Sequence, residues 1–327
     1  MDAVYLQTND ADKNEVVVFS RNADGALSPL GSYATGGRGT GKPHLASQSS
    51  IVVSGDRLLV VNAGSDDVSL FSIAAGGLSL LDRVPSGGSM PTSVTLHGSD
   101  VFVLNAGGDA NVSGFTIDDT SLASTGDVRA LAGADPAQIG FTPDGSTLIV
   151  TDRANDVLIE LPRAGGEPVR HASSGATPYG FDFTGDGTLV VTEAFGAAIG
   201  AAAASSYGKG FEAVSKSVGN TRSEVCWAAV TKDGRYVFVT NFGDGSISSY
   251  AIGADGSLTL VDAVAGSTVL GEKGVRDEAL SGDGRFLYTL DADARRVFAF
   301  AVRDDGRLDP VGDFDGLPAT AAGLAAV

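Results

Sequence analysis

Short strands recur along this chain, and seven of them end on an Asn, Asp or Glu that is followed by a loop. These strand-end residues stand 41 to 53 positions apart: Asn9, Asn62, Asn105, Asp152, Glu193, Asn241 and Asp291. A repeat of that length, made of short strands and Gly/Asp turns, is typical of a β-propeller. The sequence therefore predicts an all-β fold, a seven-bladed β-propeller with four-stranded blades.

Each repeat has the same internal order. An inner strand runs into a turn such as TPDG (142–145) or SGDG (281–284), a second strand ends on the strand-end residue, and two more strands complete the blade. The last ten residues, PATAAGLAAV (318–327), resemble an inner strand, whereas the chain opens on a second strand. We therefore predict a single domain over residues 1–327, in which 318–327 complete the blade begun by residues 3–35 and close the ring.

Composition limits the partners of the chain. The formal net charge is −18, which argues against binding to nucleic acid or to anionic membranes, since both need basic patches. The opening residues lack the charged and apolar regions of a signal peptide, and no apolar run approaches the roughly 18 residues of a membrane span. The single cysteine, Cys226, excludes an intramolecular disulfide. We expect an acidic, cytoplasmic monomer whose partner is a small molecule.

In such a ring, inner strands start on the face where second strands end, and we call this the ring face. Asn62, Asn105 and Asn241 would either orient a substrate there or bond their own turns. Asp152 is followed by Arg153. Charges are also concentrated in Arg276-Asp277-Glu278, at an inner-strand start, where a charge near the axis must be paired or solvated. Arg276 would therefore either pair with a carboxylate or recognise an anion or a carbonyl group.

Other candidates on the ring face each have a plainer alternative. Tyr179 and Trp227 would form aromatic walls of a pocket or pack between blades. His44 is the best general base by residue type, or a solvated loop residue. The Ala/Gly-rich segment 194–211 would be a lid or a tolerated insertion. Asp-rich loops lack the ordered spacing of a calcium loop, so no metal or other cofactor is expected.

Several segments resemble the seven-bladed lactonase family, which includes propeller-type 6-phosphogluconolactonases and carboxy-muconate cycloisomerases. They are PAQIGFTPDGSTLIVTD, FDFTGDGTLVVTEAFG, VCWAAVTKDGRYVFVTNFGDGSISSYAI and ALSGDGRFLYTLDADARRVFAF. The resemblance covers essentially the whole chain and implies the propeller fold. It also implies Arg, Glu and His around the funnel, matched here by Arg276, Glu193 and His44. The His-rich inner-strand starts of phosphogluconolactonase-type members are replaced here by PAQIGF, PYGFDF and CWAAV.

The sequence therefore predicts a lactonase-like enzyme that opens or closes a cyclic ester, or performs a related cyclisation or lyase step, without a metal. Glu193 or His44 would act as the base and Arg276 as the clamp for the oxyanion or carboxylate. The predicted substrate-binding residues are Asn62, Asn105, Asp152, Arg153, Tyr179, Trp227, Asn241 and Asp277. The alternative is a non-catalytic propeller that binds a small ligand or a protein, because this fold hosts both kinds of function.

Overall fold

The computed structural model describes residues 2–43 and 45–327. Within them, 28 strands form seven four-stranded antiparallel sheets, and one short 3₁₀ helix, Phe195–Ala197, follows β17. The strands of the first three blades are β1 (Ala3–Gln7), β2 (Glu15–Arg21), β3 (Leu27–Ala34), β4 (Ile51–Ser54), β5 (Arg57–Asn62), β6 (Asp67–Ala74), β7 (Gly77–Pro85), β8 (Ser89–His97), β9 (Asp100–Gly107), β10 (Asn111–Ile117) and β11 (Leu122–Ala130). Those of the next two are β12 (Pro136–Phe141), β13 (Thr147–Asp152), β14 (Val157–Pro162), β15 (Val169–Ala172), β16 (Pro178–Phe183), β17 (Leu189–Glu193), β18 (Ala203–Tyr207) and β19 (Ala213–Gly219). The last are β20 (Val225–Val230), β21 (Tyr236–Asn241), β22 (Ser246–Ile252), β23 (Leu258–Ser267), β24 (Val275–Leu280), β25 (Phe286–Asp291), β26 (Arg296–Val302), β27 (Leu308–Phe314) and β28 (Ala322–Ala326).

The sheets form a closed ring, as the repeat predicts. Each inner strand contacts the inner strand of the next blade, in the order β4, β8, β12, β16, β20, β24 and β28, and β28 returns to β4. The C-terminal strand β28 pairs antiparallel with β1, so that the first blade has the order β28-β1-β2-β3. This confirms the predicted closure, in which the two ends of the chain share one sheet and the free edge of β1 is covered.

The hydrophobic core lies between neighbouring blades. Second strands such as β1 and β25 are buried along their whole length, since both of their faces pack against other blades. Outer strands such as β3 are mostly exposed. Seven of the apolar clusters among the described residues each join two successive sheets; one of them packs Val4 and Leu324 of the first blade against Tyr288 and Leu290 of the last. Each blade therefore buries its apolar faces against its neighbours in the ring.

Polar side chains of the inner strands connect successive blades around the axis. In each case a side chain of one inner strand hydrogen-bonds the backbone of the next. These pairs are Ser93 with Ile139, Gln138 with Phe181, Asp182 with Val230, Trp227 with Arg276, and Asp277 with Leu324. The inner ends of the blades are thereby fixed, and with them the side chains that line the axis.

One inner strand is shorter than the others. β4 covers only Ile51–Ser54. The preceding residues instead place Gln48 across the axis, where its amide donates 2.9 Å to the Ala228 carbonyl of the sixth blade. Gly180 is required beside it, because a Cβ there would lie 2.8 Å from Oε1 of Gln48. Gln48 therefore separates a cavity on the ring face from a chamber on the opposite face.

Candidate active site

Two backbone positions per blade surround the mouth on the ring face. In four successive blades, the residue after the strand-end residue donates its N–H to the carbonyl of the residue just before the inner strand. These pairs are Arg153 with Asp135, Ala194 with Thr177, Phe242 with Glu224, and Ala292 with Gly274. Side chains alternate along a strand, so the residue after the strand-end position faces the side opposite to the strand-end side chain. This alternation determines which side chains face the mouth.

A cavity of about 380 Å³ opens at this mouth, and we call it the ring-face cavity. In three of the four pairs, both residues line this cavity. Its lining residues are Asp135, Arg153, Thr177, Tyr179, Ala194, Gly196, Ala197, Glu224, Val225, Cys226, Phe242 and Arg276. Gly196 and Ala197 belong to the segment predicted as a lid or an insertion, and they form part of the wall. This size and this mixture of apolar and polar groups are those of a small-molecule site.

Arg276 contributes the least satisfied group of the cavity wall. Its side chain is 12% exposed, and its guanidinium lies 4.5 Å from the centroid of the Phe242 ring. One terminal nitrogen reaches the Asp293 carboxylate at 3.2 Å. Its Nε atom is buried and has no hydrogen-bond partner within the described part of the chain. A buried N–H without an acceptor costs free energy, so Arg276 keeps an unsatisfied donor beside the cavity.

Arg153 and Tyr179 form the opposite wall. Arg153 donates to Oδ1 of Asp135 at 2.5 Å and to the Tyr179 hydroxyl at 3.1 Å, and its guanidinium lies 5.1 Å from the centroid of that ring. Burial raises the pKa of Tyr179, so its hydroxyl is neutral at physiological pH. The cavity thus has a guanidinium group on each of two walls.

Glu224 supplies a carboxylate at the same mouth, from the position just before β20. Its backbone adopts φ of 55°, a left-handed conformation that is strained for a residue with a Cβ. Its Oε1 atom pairs with Nζ of Lys273 at 2.5 Å, and Lys273 and Arg276 lie over the same Phe242 ring. This ammonium group fixes one carboxylate oxygen of Glu224 and leaves Oε2 outside the ion pair.

Cys226 lines the cavity between these groups. Burial raises the pKa of its thiol to about 12, with a smaller opposing effect from Arg276. Because the thiolate is the nucleophilic form, the thiol is unreactive near neutral pH. Cys226 therefore acts as an apolar part of the wall.

The strand-end residues lie elsewhere than predicted. All seven are at most 1% exposed, and none of them lines the ring-face cavity. Asn62, for example, donates to Asp67 and Ser69 and accepts from Asn14 and Thr35. Asn105, Asp152 and Asn241 are bonded to the loops and outer strands of their own or the preceding blade in the same way. These side chains hold the loops of the ring face in place and do not converge on the axis.

Glu193 is also held by several hydrogen bonds. Its carboxylate is buried and accepts hydrogen bonds from the Gly175 N–H at 2.8 Å and from the Ser205 and Ser217 hydroxyls, each at 2.6 Å. A Cβ on Gly175 would lie 2.3 Å from its Oε2 atom, so the carboxylate is enclosed by the blade. Its predicted catalytic role stays a prediction, but this position favours a structural role.

The remaining predicted residues divide between the cavity and the core. Arg276, Arg153 and Tyr179 come together in the cavity wall. Trp227 is fully buried behind Tyr179, with ring centroids 4.8 Å apart and its indole N–H bonded to the Arg276 carbonyl. Asp277 accepts from the Leu324 N–H at 3.1 Å. His44 lies outside the described residues.

Glu224, Phe242 and Lys273 were missed by the sequence analysis. Glu224 directly precedes an inner strand, and Phe242 directly follows the strand-end residue Asn241. Both positions were recognisable from the aligned repeats. The strand-end side chain faces into the blade. The residue next to it in the sequence therefore marks the cavity wall.

Buried carboxyl groups line the axis below Gln48. Burial raises the pKa of Asp182 to about 6 and that of Asp277 to about 8, and it raises the pKa of Glu278 well above its usual range. Backbone N–H groups lower the pKa values of Asp182 and Asp277, and neighbouring carboxyls raise that of Glu278 further. Both effects are smaller than that of burial. The folded protein therefore retains protons on the axis that the unfolded chain releases near pH 4.

This predicts that the free energy of unfolding falls as pH rises from about 5 to 7.5. The folded state binds more protons than the unfolded state in this range, so each retained proton lowers the free energy of unfolding by about 1.4 kcal/mol per pH unit. Urea denaturation at both pH values, followed by Trp227 fluorescence, measures the slope. Asp277→Asn should flatten it. A free energy that is constant or rises over this range would contradict the prediction.

The fold and the cavity define a class of protein: a closed seven-bladed propeller with a small-molecule cavity on the face where its second strands end. The family model for seven-bladed β-propeller lactonases matches residues 12–133 and 196–322, more than half of the chain. The chain belongs to this lactonase family. A search of curated protein sequences gives no match.

Solved structures support the fold. A proposed 6-phosphogluconolactonase from Bacteroides fragilis has a TM-score of 0.74 at 19% identity, covering 100% of this chain and 98% of its own. A second proposed 6-phosphogluconolactonase, from Bacteroides uniformis, has a TM-score of 0.73 at 21% identity, covering 98% and 99%. The periplasmic gluconolactonase of Pseudomonas aeruginosa has a TM-score of 0.75 at 19% identity, covering 99% of both chains. Their similarity to this chain concerns the fold.

No helix among the described residues is long and apolar enough to cross a membrane. No three His, Cys, Asp or Glu side chains in residues 2–43 and 45–327 are grouped so that they could hold a metal ion. The cytoplasmic location and the monomeric state stay predictions.

Proposed function

We propose that this protein hydrolyses a small polar lactone in the ring-face cavity. Membership of the lactonase family supports the reaction class. The observation that carries the proposed site is the buried Nε–H of Arg276, which has no acceptor among the described residues and lies in the wall of the cavity. A lactone carbonyl bound there would supply the missing acceptor.

Arg276 would act on the carbonyl oxygen. When water attacks the carbonyl carbon, negative charge develops on that oxygen, and a donor already in place stabilises it without reorganisation. The Phe242 ring and the Asp293 carboxylate hold the guanidinium in position. Arg153, on the facing wall, would bind a polar or anionic substituent of the substrate.

Glu224 would be the general base. Its Oε2 atom lies outside the ion pair with Lys273 and can take a proton from water as the water oxygen attacks. The ring C–O bond then breaks, and the leaving oxygen takes up that proton. One water is consumed, and the resulting hydroxy acid ionises and releases one proton at neutral pH. The reaction written in this way needs no metal. Glu193 and His44 remain the alternative bases implied by the family resemblance.

The proposal favours hydrolysis over the cyclising and lyase directions. The family is named for lactone hydrolysis, and none of the structures named above is described as an isomerase or a lyase. The apolar wall of Ala194, Ala197 and Cys226 fits a compact carbon ring. Charged groups at two walls fit a polar substituent on that ring.

Arg276→Gln is expected to lower the turnover number by about 10²–10³-fold, because it removes the donor to the developing oxyanion. A pH-indicator assay over a panel of phosphorylated and plain lactones measures acid release. Arg303→Gln is the matched control, since Arg303 pairs with Asp309, follows the opposite end of β26 and does not line the cavity. The proposal fails if the folded protein releases no acid from any lactone, or if Arg276→Gln is as active as the wild type.

A further inference from the structure

The face opposite to the ring face carries a second chamber. It has a volume of about 340 Å³ and lies below Gln48, where the inner strands end. We call it the opposite-face chamber. Gln48 separates it from the ring-face cavity, and none of the residues assigned to lactone hydrolysis above lines it.

Glu278 is the unusual group in this chamber. It lines the wall and is 2% exposed, and neither carboxyl oxygen has a hydrogen-bond partner within the described part of the chain. A buried carboxyl group without partners is costly, and structures normally avoid it. The carboxyl groups of Asp182 and Asp277 differ, because each accepts backbone N–H bonds from two residues. Among these three residues, only Glu278 has two carboxyl oxygens without a hydrogen-bond partner in the described part of the chain.

The other walls indicate the kind of partner. Apolar side chains line the chamber, among them Ile51, Val53, Phe181, Leu280 and Leu324, together with the polar side chains of Gln48, Gln138, Asp182 and Lys232. An inorganic cation needs several oxygen ligands, and the described residues contain no group of three acidic side chains placed for this. A primary ammonium group on a short alkyl chain needs only one or two acceptors, and its carbon atoms would pack against these apolar walls.

We propose that the opposite-face chamber binds a small primary alkylammonium ion, whose N–H groups donate to the carboxylate of Glu278. The chamber provides an apolar wall for the chain and a single unpartnered carboxylate for the charge. The site is separate from the lactone site and would be a second function of the same fold.

Three other charged groups influence this site. Asp182 on β16 and Asp277 on β24 raise the pKa of Glu278, after burial itself, and Lys232 lines the chamber with its ammonium bonded to the Gly282 carbonyl. The empty chamber therefore holds a protonated Glu278, and binding of an ammonium ion must release that proton. Affinity should accordingly increase with pH as long as the amine stays protonated.

Isothermal titration of the full chain with n-butylammonium chloride tests the proposal. Titration in phosphate and in HEPES, whose heats of ionisation differ and neither of which is a primary amine, gives the number of protons released, and we expect close to one. Glu278→Gln should weaken binding at least about tenfold, because it removes a charge-assisted hydrogen bond. Tetramethylammonium, which has no N–H, should also bind at least about tenfold more weakly. Asp255→Asn, at an exposed turn, is the control for replacement of a carboxyl group by an amide away from the chamber.

Each contrary result overturns the proposal. If butylammonium does not bind, the chamber holds only solvent. Unchanged affinity in Glu278→Gln, or binding without proton release by the wild type, would place the ligand elsewhere. Displacement of butylammonium by magnesium chloride would indicate a metal site. The proton count uses the wild type alone, so the test stands even if Glu278→Gln does not fold.

Discussion

Glu224→Gln is expected to slow lactone hydrolysis by about 10²–10⁴-fold while the protein stays folded, because it removes the proposed general base. The amide keeps the shape of the side chain but cannot take a proton from water. The variant also loses the ion pair with Lys273. Because the Lys273 side chain is more than half exposed, this ion pair contributes little to stability. The measurements are the turnover number on the best lactone of the panel and the midpoint of thermal unfolding.

Glu272→Gln is the matched control, since Glu272 is exposed and lies beside Lys273. Glu193→Gln tests which of the two carboxylates, Glu224 or Glu193, is the base. It should lower stability, because it disturbs a buried acceptor of several hydrogen bonds, and the folded fraction should keep its activity. His44→Ala completes the comparison. If Glu224→Gln retains full activity while Glu193→Gln or His44→Ala loses it, the base is the one implied by the family resemblance.

The fold was predictable because the repeat is a long-range signal. Strand-end residues every 41 to 53 positions define the blades, and the unmatched strand at residues 318–327 requires closure with the N-terminal blade. Such a pattern depends on hydrophobic alternation and turn residues, which are local properties of the chain. The short β4 could not be predicted, because Gln48 is drawn across the axis by the backbone of Ala228, 180 positions away.

The candidate site was predicted only in part, for a physical reason. Conspicuous polar residues at the strand ends were expected to face the axis. In the structure, Asn62 and Glu193 face into the blades, where their many hydrogen-bonding atoms are satisfied by loops. The mouth is lined by their neighbours, such as Arg153 after Asp152 and Phe242 after Asn241. Whether a strand-end side chain faces the axis or the blade depends on the alternation of the backbone, which residue type does not show.

Arg276 was found from the sequence because it breaks a pattern. Other inner strands carry small or apolar residues at their starts, so a guanidinium there stood out. Only the structure shows that Phe242 and Asp293 hold its guanidinium in the wall. Only the structure shows, too, that its Nε atom has no hydrogen-bond partner among the described residues. A charged residue that departs from its repeat is therefore a better guide to the site than a polar residue that follows it.

Removal of residues 318–327 is expected to abolish cooperative folding of the propeller. Without β28, the edge of β1 is open, and β24 and β4 lose the strand that connects them. Leu324 leaves the cluster that joins the first and last blades, and the Asp277 carboxyl loses the Leu324 N–H. The first and last blades share one core, so these losses act on one cooperative unit. The truncated chain 1–317 should show no sharp unfolding transition in urea or on heating.

Two further measurements distinguish loss of closure from a general loss of apolar surface. Leu324→Ala, in the full chain, should cost about 2–5 kcal/mol in the free energy of unfolding, because it creates a cavity between the blades. Leu80→Ala, on an outer strand where the side chain is 44% exposed, should cost much less. A synthetic peptide of residues 318–327 should restore the transition of the truncated chain by adding the missing strand to β1. A truncated chain that unfolds as sharply and at the same midpoint as the full chain would show that the first blade is stable without β28, and closure by the C-terminus would then be dispensable.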